Sequence, residues 1–161
     1  MSLRKPLVLV NGQLQQLQST DTLDAPQSGG DIVMQTNDEV GSIPIGTPVY
    51  NDVADGVKKA KADAAGTTKV IGLVRDTSIS AATSGAIMTS GILTATTGQW
   101  DTAFGTTGGL TFGTRYFLSA GTAGLGTATA PSTVGQYVVE LGVAISSTEL
   151  KLDGRFSPVL L

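Results

Sequence analysis

From residue 31 onward, short apolar segments return at intervals of about ten residues, and each one ends at Gly, Pro, Asp or Asn. This spacing is typical of a β-sandwich or a β-barrel, in which short strands alternate with tight turns. An Asp55-Gly56 pair between two such segments predicts a hairpin, because a type I′ turn needs positive φ at its central residues. The sequence therefore predicts an all-β fold, either a small β-barrel or a β-sandwich. The predicted strands cover residues 32–36, 47–53, 57–61, 69–75, 86–97, 115–119, 136–146 and 149–152.

The clearest strand is QYVVELGVAIS, residues 136–146. Its odd-numbered residues from Tyr137 to Ile145 are all apolar, and a period of two places them on one face of a strand. We therefore predict that Val139 and Leu141 face the core. Gly91 interrupts the long 86–97 segment and predicts a bulge or a sharp bend there. Helix is predicted at two short places only, residues 60–65 and 99–104.

The first 28 residues differ from the rest, because apolar residues are sparse after Val10. We interpret residues 1–28 as an extended N-terminal arm with one short strand at 7–10, followed by a β-domain at 29–161. An ordinary edge strand of the same domain is the alternative interpretation. Free chain ends fray unless they are held, so an ordered arm needs a surface on its own domain or on a neighbour.

Composition excludes several kinds of chemistry. The 161-residue chain contains neither Cys nor His, which removes disulfides, zinc sites of the usual kind, thiol nucleophiles and imidazole bases. A net charge of −3 with 14% charged residues offers no basic face for nucleic acid. No stretch approaches the roughly 20 apolar residues that span a bilayer. We expect no cofactor, no nucleic-acid partner and no membrane partner.

The composition of the Gly- and Thr-rich run at residues 91–119 favours a structural surface segment over a catalytic one. Residues 105–109 resemble a phosphate-binding loop only superficially, because Leu110 stands where such a loop needs Lys. We expect a compact surface connection that Trp100 and Phe104 attach to the sheet. The acidic residues are scattered, and no G-x-S-x-G or S-x-x-K motif occurs. The sequence therefore predicts a protein that is not an enzyme.

Two parts of the chain resemble virion proteins of tailed bacteriophages. KPLVLVNGQLQQLQSTDTLD, residues 5–24, resembles the opening of tail-fibre and head-associated components. The stretch from KVIGLVRD through GQWDTAFGTTGGLTFGTRYFLS to APSTVGQYVVELGVAISSTELKL resembles a small β-domain of phage structural proteins. Fibres that share the N-terminal motif are normally far longer, with repetitive shafts. The resemblance therefore implies a head decoration, or cement, protein more than a fibre.

A decoration protein of this kind would bind the outer surface of the phage head as a symmetric homo-oligomer, a dimer or a trimer, and bridge subunits of the major capsid protein. Repetition over the shell would turn modest contacts into strong retention. The residues that we expect to contact partners lie in the arm and at the C-terminus, namely Leu7, Leu9, Leu14, Leu17, Phe156 and Leu160.

Two other functions remain open from the sequence. A tail-fibre or baseplate-associated adhesin would bind a bacterial surface glycan, with Trp100 and Tyr116 as stacking residues, although a core position for both is the favoured interpretation. A hydrolase acting on cell-wall or capsule polysaccharide would need a converged pair of carboxylates, which the sequence does not locate.

Overall fold

The computed structural model describes residues 7–10, 13–16 and 30–161. The fold of this part is nearly all β, as the sequence predicts. In chain order the elements are β1 (Leu7–Val10), β2 (Gln13–Gln16), β3 (Ile32–Asn37), β4 (Ile43–Pro44), β5 (Pro48–Val53), β6 (Gly56–Lys59), β7 (Val70–Val74), β8 (Ser78–Ile79), β9 (Ser84–Met88), β10 (Gly91–Thr94), α1 (Thr97–Phe104), β11 (Arg115–Leu118), β12 (Gly126–Thr127), β13 (Tyr137–Val138), β14 (Glu140–Ala144), β15 (Glu149–Leu152) and β16 (Val159–Leu160).

Five strands form a closed barrel in the order β3-β6-β5-β7-β9. The barrel closes where β3 pairs with β9 on one side and β6 on the other. The β3–β6 pairing is parallel, whereas the other pairs of the barrel are antiparallel. Of the two architectures that the strand spacing allows, the structure contains the barrel.

A second sheet, in the order β10-β15-β14-β11-β12, packs beside the barrel. Three ribbons of two strands complete the described fold: β1 with β2, β4 with β8, and β13 with β16. Strand β1 coincides with the predicted arm strand, whereas β2 was not predicted. The division of the chain at residue 28 stays a prediction.

The predicted 86–97 strand is two strands in different sheets. Strand β9 closes the barrel and β10 begins the second sheet. Gly91 lies at the start of β10 with φ of +101°, a conformation that glycine adopts without steric cost. The predicted bend at Gly91 is therefore confirmed, and it marks the passage of the chain from one sheet to the other.

The 136–146 segment is also divided, because β13 pairs with β16 while β14 joins the second sheet. Val139 and Leu141 are buried as predicted. Beyond them the predicted alternation is wrong: Ala144 is buried, whereas Val143 and Ile145 are only partly covered. Tyr116 pairs with Gly142 and the next residue of β11 pairs with Glu140, so that Leu141 is an extra residue in β14. This β-bulge moves the following side chains to opposite faces.

The predicted hairpin connects β5 and β6, but its turn lies one residue earlier than expected. Ala54 and Asp55 form the turn, and Asp55 has φ of +61°. Gly56 already belongs to β6, where a Cβ atom would collide with the carboxylate of Asp38. A side chain at position 56 would displace that carboxylate, and the positive φ falls on Asp55 instead.

The helix predicted at 99–104 is present as α1, and the helix predicted at 60–65 is absent. Thr96 caps α1 through a capping box: the Gln99 amide donates to Thr96 Oγ1 at 3.3 Å, and the Thr96 amide donates to Gln99 Oε1 at 2.8 Å. In the 60–65 segment, the Ala60 carbonyl accepts from the Gly124 amide at 2.7 Å and the Ala62 carbonyl accepts from the Tyr137 amide at 3.0 Å. These tertiary hydrogen bonds occupy the acceptors that the first turn of a helix would need.

Two groups of buried apolar side chains hold the described fold together. The smaller group fills the barrel and includes Val49, Val57 and Ile87. The larger group lies between the barrel and the second sheet. At its centre, Phe104 meets Trp100 and Tyr116 edge to face, with ring centroids 5.1 Å apart in each pair. The barrel and the second sheet therefore pack on the same larger group of side chains, and α1 supplies the largest of them, Trp100.

Candidate interaction surfaces

The first half of β3 has an edge to which no other described strand pairs. Strand β6 pairs with β3 only at Thr36 and Asn37. Residues 32–35 therefore project beyond the tip of the β5–β6 hairpin, although their other edge pairs with β9 throughout. We call residues 32–35 the β3 edge. An edge strand of this kind is a template for pairing with another strand.

The β3 edge and the hairpin tip beside it carry exposed apolar side chains. Met34 is 60% exposed, and Ile32 and Val33 are also exposed. Val53 is exposed at the neighbouring hairpin tip. No charged side chain lies within the edge itself, whose sequence is Ile-Val-Met-Gln. Natural proteins usually protect such edges with charges, proline or bulges, so this unprotected edge favours a binding surface.

A cleft of about 370 Å³ adjoins the β3 edge and separates the start of β3 from β10. Asp76 is the one carboxylate among its described lining residues, and its Oδ2 accepts a hydrogen bond from the Ala86 amide at 2.8 Å. Glycoside hydrolysis usually requires two carboxylates that flank the scissile bond. The lining of this cleft does not provide that pair.

The second surface lies at the C-terminus. Strand β16 pairs with β13, and the chain end is held further by hydrogen bonds of 3.0 Å from the Gly135 amide to the Leu161 carbonyl and from the Leu161 amide to the Gln136 carbonyl. The backbone is thus fixed, yet the side chains of Val159, Leu160 and Leu161 stay exposed, Leu160 at 60%. We call β13 and β16 the C-terminal ribbon. Its exposed aliphatic side chains also favour a partner.

The structure separates the residues that the sequence assigns to partner binding. Leu7 and Leu9 lie in β1 and Leu14 lies in β2, whereas Leu17 lies outside the described residues. Phe156 is half-buried and packs against the larger core. Leu160 is exposed in the C-terminal ribbon. The sequence did not indicate the β3 edge, because only the length of the pairing with β6 shows that one side of residues 32–35 has no described partner strand.

Trp100 and Tyr116 are core residues. Both side chains are at most 1% exposed, the indole Nε1 donates to the Thr148 carbonyl at 2.9 Å, and the Tyr116 hydroxyl accepts from the Thr111 amide at 3.0 Å. Neither ring offers a face on which a sugar could stack. The favoured interpretation of these two residues is therefore confirmed, and the adhesin hypothesis loses its stacking candidates.

The Gly- and Thr-rich connection after α1 is organised by one carboxylate. Asp101 accepts hydrogen bonds from the Gly109 amide at 2.8 Å, the Thr106 hydroxyl at 2.8 Å and the Gly108 amide at 3.0 Å. These bonds lower the pKa of Asp101, with the Gly109 amide as the largest cause. Because a carboxylate already occupies the amides, a phosphate would meet a negative charge there, and the segment is a surface connection as predicted.

The other carboxyl groups with a shifted pKa lie in surface ion pairs. A hydrogen bond of 2.5 Å from the Lys58 ammonium lowers the pKa of Asp52 and raises that of Lys58. Lys61 lowers the pKa of Asp63 in the same way. No group of three or more acidic residues that could hold a metal ion occurs in residues 30–161 or the two N-terminal strands. These pairs do not converge on a common cleft.

No protein-family profile matches the chain, and no curated protein sequence is significantly similar to it. Within the described part of the chain, no helix has the length and apolar character that a membrane crossing requires. The functional interpretation therefore rests on the residues and the geometry above.

Proposed function

We propose that this chain is a capsid decoration protein of a tailed bacteriophage, which binds the outer surface of the head and stabilises the lattice of the major capsid protein. The observation that carries the proposal is the position of the unprotected apolar surfaces. One of them, the β3 edge, follows the predicted N-terminal arm in the sequence, and the other is the C-terminal ribbon. The likeness of residues 5–24 and 69–152 to phage structural proteins supports the same function.

Binding in this proposal is non-enzymatic and depends on area and repetition. The C-terminal ribbon supplies exposed aliphatic side chains on a backbone that is already fixed, so little conformational entropy is lost when a partner covers them. The arm, with Leu7, Leu9, Leu14 and Leu17, supplies strand pairing and further apolar contacts. Many weak contacts on one oligomer combine into slow release from the shell.

The test measures the occupancy of heads that lack this protein. Full-length protein and a variant without residues 1–18 are incubated with such heads, separated by sedimentation and quantified. We expect the full-length protein to saturate the head surface and the truncated protein to lose attachment while it still melts cooperatively. Equal occupancy of the two forms would exclude the role of the arm.

A second pair of variants tests the C-terminal ribbon. Leu160→Ser removes an exposed aliphatic side chain and should weaken head binding, whereas Thr133→Ala alters a nearby exposed polar residue and should leave binding unchanged. Labelling of intact particles then distinguishes the hypotheses: hundreds of copies on the head support decoration, and a few copies at the tail tip contradict it in favour of adhesion.

A further inference from the structure

We propose that strand β1 of one copy of this chain pairs with the β3 edge of a second copy, so that the protein assembles by exchanging its N-terminal hairpin. The inference names a partner and a surface for self-assembly. It rests on backbone geometry and does not depend on the binding of a capsid.

The acceptor is defined by the direction of the backbone groups of β3. The Thr36 amide donates to the Asp55 carbonyl and the Asp38 amide to the Val57 carbonyl, both towards the β5–β6 hairpin, whereas the Asn37 amide donates to Thr83 on the opposite side. Because successive residues of a strand direct their backbone groups to alternate edges, Ile32 and Met34 direct theirs to the side of Thr36. No described strand pairs with them there. Ile32 and Met34 therefore each present one amide and one carbonyl at the free edge, two residues apart.

The donor has the complementary arrangement. Val10 pairs with Gln13, and only two residues separate them. In the common two-residue hairpins the flanking residues form a hydrogen-bonded pair, and we therefore assign the backbone groups of Val10 and Val8 to the side of β2. Leu7 and Leu9 direct theirs to the outer edge of β1, which pairs with no other described strand. The donor edge therefore also presents two amides and two carbonyls at i and i+2.

In the described part of the chain the hairpin pairs with no strand of the barrel, so we assign the β3 edge to the hairpin of a second copy. Strands β1 and β2 form a two-stranded sheet by themselves, and an isolated two-stranded hairpin is marginally stable in water. The fifteen residues 17–31 connect it to β3, and a segment of that length reaches up to about 50 Å. This reach is sufficient to place the hairpin on a neighbouring subunit.

The chemistry of both edges suits a permanent contact between copies. The acceptor sequence Ile-Val-Met-Gln and the donor sequence Leu-Val-Leu-Val carry no charge, so their pairing places no like charges opposite each other. Pairing would also cover Ile32 and Met34. The outer edge of β2 and the C-terminal ribbon stay available, so a strand-exchanged oligomer can still bind another surface.

The first experiment measures the oligomeric state of the purified chain by sedimentation velocity over a range of concentrations, without any phage particle. Met34→Pro removes the outward amide of β3, and proline is tolerated on an edge strand when its missing N–H faced solvent. Met34→Ala is the matched control, because it keeps that amide. We expect an oligomer for the wild type, a dissociation constant raised by on the order of tenfold or more for Met34→Pro, and a smaller change for Met34→Ala.

The second experiment uses the absence of cysteine from the chain. Leu9→Cys and Met34→Cys are made in separate chains, mixed, dissociated, reassociated and oxidised. A disulfide between the two can then form only between copies, and we expect the mixed dimer. Val40→Cys, fully exposed beyond the end of β3, replaces Met34→Cys in the control mixture and should not form it.

Three results would overturn the proposal. They are a monomeric wild-type protein across the concentration range, equal weakening by Met34→Pro and Met34→Ala, and a disulfide that forms within a Leu9→Cys/Met34→Cys chain but not between the two single-cysteine chains. The last result would show that β1 fills the edge of its own chain. If Met34→Pro does not fold, the cysteine mixture alone decides, because neither of its substitutions removes a backbone amide. Failure of head binding with an intact exchanged oligomer would contradict the decoration proposal and leave this one standing.

Discussion

The replacement Trp100→Ala tests whether α1 joins the barrel to the second sheet. Trp100 is fully buried, packs edge to face on Phe104, and donates from Nε1 to the Thr148 carbonyl near β15. On the other side, its ring lies against Gly46, where an added Cβ would come within 3.0 Å of the ring. The side chain therefore touches both halves of the described fold, and its removal should weaken both together.

The expected loss follows from the buried volume. Replacing a buried Trp by Ala typically costs about 3–5 kcal/mol, through lost transfer free energy and the cavity that remains. The Thr148 carbonyl still accepts the Ala95 amide at 2.9 Å, so the lost indole hydrogen bond leaves no wholly unpaired acceptor and adds little. For a chain of this size each kcal/mol lowers the Tm by roughly 2–4 °C. We expect a decrease in Tm of about 6–20 °C.

Thermal and urea unfolding, followed by circular dichroism, measure the loss. Phe112→Ala is the matched control: this aromatic residue is 78% exposed, and a surface substitution usually changes the free energy of unfolding by less than about 0.5 kcal/mol. A loss below about 1 kcal/mol for Trp100→Ala would refute the assignment of Trp100 as the central core residue. Binding of a glycan that disappears at unchanged stability would restore the adhesin hypothesis.

Two further predictions concern the core and the surface loop. Replacing Val139 and Leu141 together by Asp should prevent cooperative folding, since each charge would be buried without a partner. A soluble double variant with a sharp thermal transition would contradict this prediction. The control variant Val134→Asp, at an 88% exposed position, should fold normally. The lowered pKa of Asp101 means that its ionised form stabilises the fold above the unfolded-state value of about 4 and that this contribution is lost as pH falls below it. The difference in Tm between the wild type and Asp101→Asn should therefore be constant above about pH 5 and shrink below about pH 4; a difference that does not depend on pH contradicts it.

The class of the fold followed from local features of the sequence. Recurrent apolar segments, glycines at the turns and the period of two in residues 137–141 are properties of neighbouring residues. They correspond to strands in the structure, although the predicted strands 86–97 and 136–146 are each divided in two. The α1 helix was also predictable, because the capping residue Thr96 and its partner Gln99 are three positions apart. Local signals of this kind do not depend on where the rest of the chain lies.

The errors arose where distant residues decided the local structure. Residues 60–65 do not form a helix because the Gly124 and Tyr137 amides donate to the Ala60 and Ala62 carbonyls, and no residue near 60–65 in the sequence indicates those contacts. The bulge at Leu141 depends on the register with β11, which shifts burial from Val143 to Ala144. Gly56 lies against the carboxylate of Asp38, the residue that follows β3, because β3 pairs with β6. Each of these features belongs to a pair of segments and to neither segment alone.

The sequence by itself determined that this chain forms strands, because the spacing of apolar residues and turn residues predicts them. It also excluded cysteine and histidine chemistry, because neither residue type is present. Tertiary structure alone decided which strands close a barrel, and it left one edge of residues 32–35 without a described partner because the parallel contact with β6 ends at Thr36. Strand pairing is a non-local choice of partner and register. The surface that we assign to self-assembly is therefore a consequence of where that pairing stops.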